Sequence, residues 1–348
     1  MANQIVGVLQ DVFQPTKLLE AVRQRPRWLL KAQAVWWRYL MKIGLTLHLA
    51  ASPRPPSPAF KLKLKPRIAK NKKGNINMIF YVPKDYDTRP GPFPIVLSFH
   101  GGGFTIGDPE DDGRWASAVT EQCDAVVCAV GYRRAPEYPF PAPVEDGADA
   151  TLWCIENAKT LKINPDKIAF SGFSAGGNMA FTVPLKLLDE TIFLNPFEKP
   201  RFLMRAIVAM YPSCDFTSTR ADRRATNKRI DKQLPHFFTD LFDSSYLYPP
   251  KDVVWDDPTL SPAKAPDERL LQLPQDIFMT TAEWDELLFE GKMFSDRLIG
   301  LGKNVVYRMI ENEAHAWDRS PNPFSQHPMI PEVYGALCAG LNSSFEAV

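Results

Sequence analysis

Seven residues, Ser171-Gly172-Phe173-Ser174-Ala175-Gly176-Gly177, restrict the fold of this chain more than any other stretch. The preceding Asp166-Lys167-Ile168-Ala169-Phe170 reads as a short buried strand, and Asn178-Met179-Ala180-Phe181 opens a helical pattern, so a sharp strand-to-helix turn is expected between them. In a turn that tight a side chain at position 172 or 176 collides with the neighbouring strand or helix, which accounts for glycine at both. Ser174 is left in a strained conformation with its hydroxyl exposed, the arrangement of a nucleophile elbow. The pentapeptide alone is only a cluster of small turn residues; its meaning rests on the strand before it, the helix after it, and the partners sought below.

Buried strands are expected at 95–99, 125–130, 167–170, 206–210, 277–281 and 305–310, with helical patterns at 144–159, 175–188 and 287–301. Such alternation builds a mostly parallel sheet covered on both faces, an α/β fold. The strictly alternating Phe60-Lys61-Leu62-Lys63-Leu64-Lys65 predicts a half-buried edge strand with its lysines in water, joined through Asn71-Lys72-Lys73-Gly74 to a partner at 75–82. One interval breaks the rhythm. Between Pro212 and Pro274 the chain turns polar, charged and partly helical, and an insertion after a strand whose C-terminal end faces the site is expected to form part of a lid.

The first 55 residues read as helical. Trp28, Ala32, Val35, Trp36, Tyr39, Leu40 and Ile43 form an apolar stripe opposite a basic one at Arg27, Lys31, Arg38 and Lys42. Four cations exclude a membrane-spanning helix. The expectation is that the aromatic face packs over the rest of the protein; contact with a membrane surface is the alternative. A proline-rich connector, Ser52-Pro53-Arg54-Pro55-Pro56-Ser57-Pro58, then stops the helix.

Forty-one basic against 40 acidic residues leave a formal charge of +1, so no overall field draws in nucleic acid, and none is expected as a partner. Five cysteines, an odd number without disulfide or zinc spacing, point to reduced thiols and no metal. With no basic segment followed by an apolar run after Met1-Ala2-Asn3-Gln4-Ile5, the expected location is cytoplasmic.

Acyl transfer by a serine requires a base, an acid that orients it, and donors for the developing oxyanion. His100-Gly101-Gly102-Gly103-Phe104 follows the strand at 95–99, where glycines let backbone N–H groups approach a substrate oxygen. It lacks the Lys-Ser/Thr of a P-loop and the spacing of a dinucleotide-binding turn. Among five histidines, His315 alone follows the last strand, at the end where it can reach Ser174; His100 lies in the glycine loop, His48 and His236 in presumed lid segments, and His327 in a proline-rich loop. Glu283, Asp285 and Glu286 all follow the preceding strand and compete for the role of the acid. The order Ser, acid, His is the one expected for an elbow on a parallel sheet.

From about residue 95 to residue 317 the chain resembles the hormone-sensitive-lipase family of α/β-hydrolases, which includes bacterial esterases, plant carboxylesterases and arylacetamide deacetylases. The likeness rests on His100-Gly101-Gly102-Gly103-Phe104, the elbow, Tyr132-Arg133-Arg134-Ala135-Pro136-Glu137-Tyr138-Pro139-Phe140-Pro141-Ala142, Asp257-Pro258-Thr259-Leu260-Ser261-Pro262 and Asp285-Glu286-Leu287. It implies an α/β-hydrolase fold with a helical cap: 1–55 and 213–262 as cap, 56–212 and 263–348 as core. It also implies a catalytic Ser174, Asp285 and His315, and oxyanion donors at Gly102, Gly103 and Ala175, with no cofactor. The expected activity is hydrolysis of short- to medium-chain carboxylic esters, or of acetyl esters of a small hydrophobic molecule. Acyl transfer, elimination or ring closure by the same groups is one alternative, and a small-molecule receptor on the same fold is another, although receptors of this kind alter the histidine that His315 retains. A homodimer stays open. The chain departs from the family at Phe173, where many members have Asp, at Phe289, and at His315-Ala316-Trp317 in place of His-Gly-Phe.

Overall fold

The structure is a computed structural model and describes residues 15–22, 24–192, 201–319 and 321–347; residues 1–14 of the expected N-terminal helical segment lie outside the described residues. Eight strands form one sheet: β1 (Phe60–Leu64), β2 (Ile76–Tyr81), β3 (Phe93–Phe99), β4 (Val126–Gly131), β5 (Ile163–Phe173), β6 (Met204–Met210), β7 (Asp276–Ala282) and β8 (Asn304–Ile310). Their spatial order is β1-β2-β4-β3-β5-β6-β7-β8. The edge pair β1–β2 and the pair β2–β4 are antiparallel, and every later pair is parallel. On β1, Phe60 and Leu62 turn inward while Lys61 and Lys63 face water, and Phe60 stacks on Phe80 of β2 at 4.6 Å between ring centroids. The central strands are nearly all apolar because both of their faces are covered.

The helices used below are α1 (Pro15–Ala21), α2 (Arg27–Ala50), α3 (Gly113–Gln122), α4 (Ala142–Glu156), α5 (Ala175–Ile192), α6 (Arg220–Ala225), α7 (His236–Tyr246), α8 (Leu288–Gly300) and α9 (Ile330–Glu346). One core layer joins the sheet to α4, α5 and α8 through Val144, Met179, Phe181, Phe294 and Leu298. The opposite layer sets Trp115 and Val119 of α3 beside Tyr334, Leu337 and Leu341 of α9. Neither α3 nor α9 was among the ranges expected from the sequence; α9 lies beyond the last strand, where no further strand frames it.

Strand order decides where chemistry is placed. β3 pairs with β4 on one side and β5 on the other, so the connections leaving β3 and β5 diverge and open a crevice at their C-terminal ends. Phe99 pairs with Gly172, which puts the glycine loop after β3 directly beside the elbow after β5. The chain leaving β6 supplies α6 and α7, and the ends of β7 and β8 supply the segments that hold Asp285 and His315.

The expectation for the first long helix is corrected. In α2 the aromatic stripe faces outward: Trp28 is 73% exposed, Trp36 59% and Tyr39 64%, with Val35, Ile43 and Leu47 exposed beside them. What packs inward is Leu30, Ala34 and Trp37, whose ring lies 4.5 Å from that of Phe238 on α7, together with Arg27 and Arg38 from the basic stripe. The reason is hydrogen bonding. Arg38 donates to the carbonyls of Thr105 (2.8 Å) and Ala135 (2.7 Å) and pairs with Glu137 at 3.0 Å, while Arg27 donates to the carbonyls of Ser244 and Pro136. Long guanidinium side chains reach these carbonyls with several N–H groups at once and neutralise Glu137, which no side chain of the apolar stripe does.

Candidate active site

The elbow is built by close backbone approach. A Cβ on Gly176 would lie 1.8 Å from the Phe99 carbonyl oxygen and one on Gly172 2.1 Å from that of Gly176, so neither position accepts a side chain. Ser174 sits at φ +56°, a left-handed conformation costly for a residue with a Cβ. The neighbours impose it: its N–H donates to the Met210 carbonyl at 2.9 Å, and its own carbonyl accepts from the Asn178 N–H at 3.0 Å. The hydroxyl is thereby presented at the mouth of the crevice.

His315 comes to it from the far end of the sheet. Its Nε2 lies 2.8 Å from Ser174 Oγ and its Nδ1 2.6 Å from Asp285 Oδ2. The other oxygen of Asp285 accepts from the Leu287 N–H at 3.0 Å, which fixes the carboxylate plane. Burial pushes the His315 imidazole toward lower pKa, but the charge of Asp285, the hydrogen bond to it and the charge of Glu286 outweigh burial and Arg220, so the net direction is up from 6.5. An imidazole in that environment readily holds a positive charge once it takes a proton.

The competing carboxylates are occupied elsewhere. Glu283 accepts from the Asn312 N–H at 2.7 Å. Glu286 is buried between two cations of α6, Arg220 at 2.7 Å and Arg224 at 3.0 Å. The remaining histidines are likewise placed away from Ser174. His100 stacks on Tyr132, its Nδ1 is 2.8 Å from the Gly101 carbonyl, and burial first, with Arg134 nearby, pushes it down to about 3, so it stays neutral. His327 pairs with Glu313 at 3.0 Å, His236 begins α7, and His48 is buried near the end of α2.

Gly102 and Gly103 adopt φ +105° and +56°, and a Cβ on Gly103 would meet the Phe242 ring at 2.2 Å. Gly103, Ser174, Ala175 and His315 border one cavity of about 30 Å³, otherwise walled mainly by Phe104, Phe216, Leu234, Phe242, Tyr246 and Leu287. Arg220 and Asp243, paired at 2.8 Å, close one side of it. These two and Phe216 also border a larger cavity of about 460 Å³ beneath α1 and α6. Phe173, Ala316 and Trp317, the departures that flank Ser174 and His315 in sequence, do not line the small cavity. Phe173 instead carries the Arg319 guanidinium 3.7 Å above its ring, and Arg319 pairs with Asp112 at 3.1 Å.

Several residues hold this geometry from outside the site, and one of them, Asn227, left no trace in the sequence. Asn227, just beyond α6, donates to the carbonyls of both Glu283 and Asp285 at 2.9 Å and so pins the turn that carries Asp285. The glycine loop is tied down from outside: Tyr132 donates to the His100 carbonyl at 2.8 Å, the Ala135 N–H to the Phe104 carbonyl at 2.9 Å, and Arg38 to Thr105. Arg38 was visible only as one of four basic residues on a helix, and nothing in that pattern distinguishes a buried donor from a solvated charge. The Tyr132–Ala142 block, anchored by the buried Arg133–Asp146 pair at 2.6 Å, is the floor of this scaffold.

Comparison with known proteins agrees with the architecture. Residues 96–319 match a family model described as an α/β hydrolase fold. An AB hydrolase superfamily protein of Schizosaccharomyces pombe is 33% identical over 234 residues, 67% of this chain and 66% of the relative, so the chain spans just under two thirds of that protein's length. An arylesterase of Saccharolobus solfataricus is 32% identical over 243 residues, 70% of this chain and 73% of the relative. Among solved structures, a hyperthermophilic esterase from Pyrobaculum calidifontis superposes with a TM-score of 0.73 at 27% identity, covering 92% of this chain and 98% of the other.

Proposed function

The chain belongs to the α/β-hydrolase family, in its hormone-sensitive-lipase-like branch, and from that premise we propose that it is a serine carboxylesterase acting on short-chain esters. The observation that carries this reading is the unbroken relay Asp285–His315–Ser174, at 2.6 and 2.8 Å, gathered from the ends of β7, β8 and β5.

The Ser174 oxygen attacks the ester carbonyl carbon as His315 Nε2 takes its proton. Asp285 keeps the other ring nitrogen protonated, so Nε2 is free to accept, and it stabilises the imidazolium that forms. The oxyanion is held by the backbone N–H groups of Gly102, Gly103 and Ala175; Ala175 is the first residue of α5, where the positive end of the helix adds to them. The imidazolium then protonates the departing alcohol. Water, deprotonated by His315, cleaves the acyl-enzyme and returns Ser174 to its starting state. In this reading the described residues of 56–212 and 263–348 form the catalytic core, and those of 1–55 with 213–262 form the cap that roofs it.

The space at Ser174 supports a small acyl group. The cavity of about 30 Å³ at Ser174 is walled mainly by apolar side chains, and the Arg220–Asp243 pair stands between it and the larger cavity. Each added methylene must displace Phe242 or Leu234 or meet that ion pair. Across a series of p-nitrophenyl esters, kcat/KM is therefore expected to be highest for acetate to butyrate and at least about tenfold lower for decanoate, as expected when a substrate outgrows its pocket by several methylenes. Equal rates from acetate to decanoate would refute a short acyl pocket, and no cleavage of any member would refute the esterase reading itself.

Arg38 provides a second test, because it holds the glycine loop without touching substrate. Replacing it by Ala leaves the carbonyls of Thr105 and Ala135 without their charged donor and Glu137 without its partner. The expected cost is about 2 kcal/mol in urea unfolding, the range for hydrogen bonds to charged groups. A loosened oxyanion loop is expected to lower kcat by about tenfold with a smaller change in KM. Arg38→Lys, which keeps the charge but not the planar fork, should recover only part of either loss. Unchanged kcat in Arg38→Ala would separate the loop from α2.

A further inference from the structure

The exposed face of α2 is a feature that the proposed hydrolysis does not use. Trp28, Val35, Trp36, Tyr39, Ile43 and Leu47 stand on one side of a 24-residue helix, each at least 41% exposed. From position 28 to 47 the stripe runs about 28 Å along the axis at the usual rise per residue. Its direction is fixed by Arg27 and Arg38, whose inward bonds prevent the helix from rolling the stripe into the protein.

We propose that this face docks on the surface of an anionic phospholipid bilayer, with α2 lying flat in the headgroup region. Charge complementarity argues for that occupant. The whole helix, Arg27-Trp28-Leu29-Leu30-Lys31-Ala32-Gln33-Ala34-Val35-Trp36-Trp37-Arg38-Tyr39-Leu40-Met41-Lys42-Ile43-Gly44-Leu45-Thr46-Leu47-His48-Leu49-Ala50, carries no acidic residue. Lys31 and Lys42, both exposed, flank the aromatic stripe as headgroup-level cations. Tryptophan and tyrosine suit the interface because each joins an apolar ring to a polar N–H or O–H. A second copy of the chain fits less well, since apposed helices would bring four lysines together with no carboxylate from either helix. Among the described residues no helix is long and apolar enough to cross a membrane, so the contact is a surface one.

Two further observations support the placement. Phe324, 88% exposed, lies in the loop whose Pro321 would come within 3.8 Å of a Cβ on Gly44, so a further exposed aromatic stands near the C-terminal half of α2. Behind the stripe, Trp37 packs on Phe238 and Phe238 on Phe242, which walls the cavity at Ser174. The docking face is thus backed by the roof of the reaction cavity. The inference stands independently of the ester-hydrolysis reading.

The test is co-flotation of the intact protein with phosphatidylcholine vesicles and with vesicles containing three parts in ten phosphatidylglycerol, together with tryptophan emission and sedimentation velocity. Binding to the phosphatidylglycerol vesicles is expected, about thirtyfold tighter than to phosphatidylcholine alone for two lysines at the surface, with a blue shift in emission. Trp28→Ser/Trp36→Ser should lower partitioning at least about tenfold, and Lys31→Glu/Lys42→Glu should abolish the anionic preference. Both variants should keep the circular dichroism of the parent and its rate on a soluble ester. The proposal is overturned by a wild-type protein that ignores both vesicles, by undiminished binding of the tryptophan variant, or by a dimer that the same substitutions dissociate and that does not float with lipid.

Discussion

Ser174→Ala is expected to reduce turnover of a soluble ester by about six orders of magnitude, with the protein folded and its affinity for substrate little changed. The size follows from cooperation: in serine triads, loss of the nucleophile costs nearly as much as loss of all three members, because base and acid have no proton to handle without it. What remains is the effect of binding and of the oxyanion donors, three to four orders of magnitude above water. Alanine is also a clean deletion here. It keeps the Cβ that already sits at φ +56°, so the backbone bonds from Ser174 to Met210 and Asn178 persist and the elbow does not refold. Glycine would relieve the same strain and confuse stability with chemistry. Mass analysis gives an independent check, since the wild-type chain, quenched with a slow ester, should carry the acyl mass on the peptide containing Ser174 and the variant should carry none. Activity within about tenfold of wild type in Ser174→Ala would remove the nucleophile from the mechanism.

How much of this was legible beforehand depended on whether a residue's role is local. The elbow is read from one contiguous stretch, residues 166–181, because its two glycines and its strand-to-helix change all stand in that stretch. The buried strands were readable for a similar reason, as continuous apolar runs in a sheet covered on both sides. Asp285 was harder: three carboxylates follow β7, and only the family likeness chose between them. The structure separates them by what each one faces, Arg220 and Arg224 for Glu286, a backbone N–H for Glu283, and the imidazole for Asp285. The sequence misplaces the aromatic stripe of α2 because an apolar stripe is ordinarily the buried one, and it does not display the carbonyls of Thr105, Ala135 and Pro136 that draw Arg27 and Arg38 inward. Asn227 was invisible altogether. Its function depends on where α6 meets the turn after β7, and that contact spans 58 positions of chain.

Asp285→Asn is the second large effect, expected to lower kcat by about four orders of magnitude while leaving the histidine in place. An asparagine can present its amide N–H to His315 Nδ1, which would move the ring proton to Nε2 and leave nothing there to accept the Ser174 proton. The pH profile adds a sign. His315 acts as a base only when neutral, so kcat/KM falls as pH drops through its pKa, and the wild-type limb should lie above the ordinary value of 6.5 because Asp285 and Glu286 outweigh burial. Removing the Asp285 charge takes away the principal force raising that pKa, so the residual activity of Asp285→Asn should have its acid limb displaced to lower pH. Glu286→Gln is the necessary contrast. It leaves the His315–Asp285 contact intact but strips Arg220 and Arg224 of a buried counter-charge, a change expected to cost about 3–5 kcal/mol of stability and to lower kcat far less. A pairing of weak stability loss with a collapse of kcat in Glu286→Gln, alongside near-normal turnover in Asp285→Asn, would transfer the role of acid to its neighbour. The 2.6 Å contact at His315 Nδ1 predicts the opposite pairing, because only a carboxylate on the ring nitrogen itself can hold the tautomer that the reaction requires.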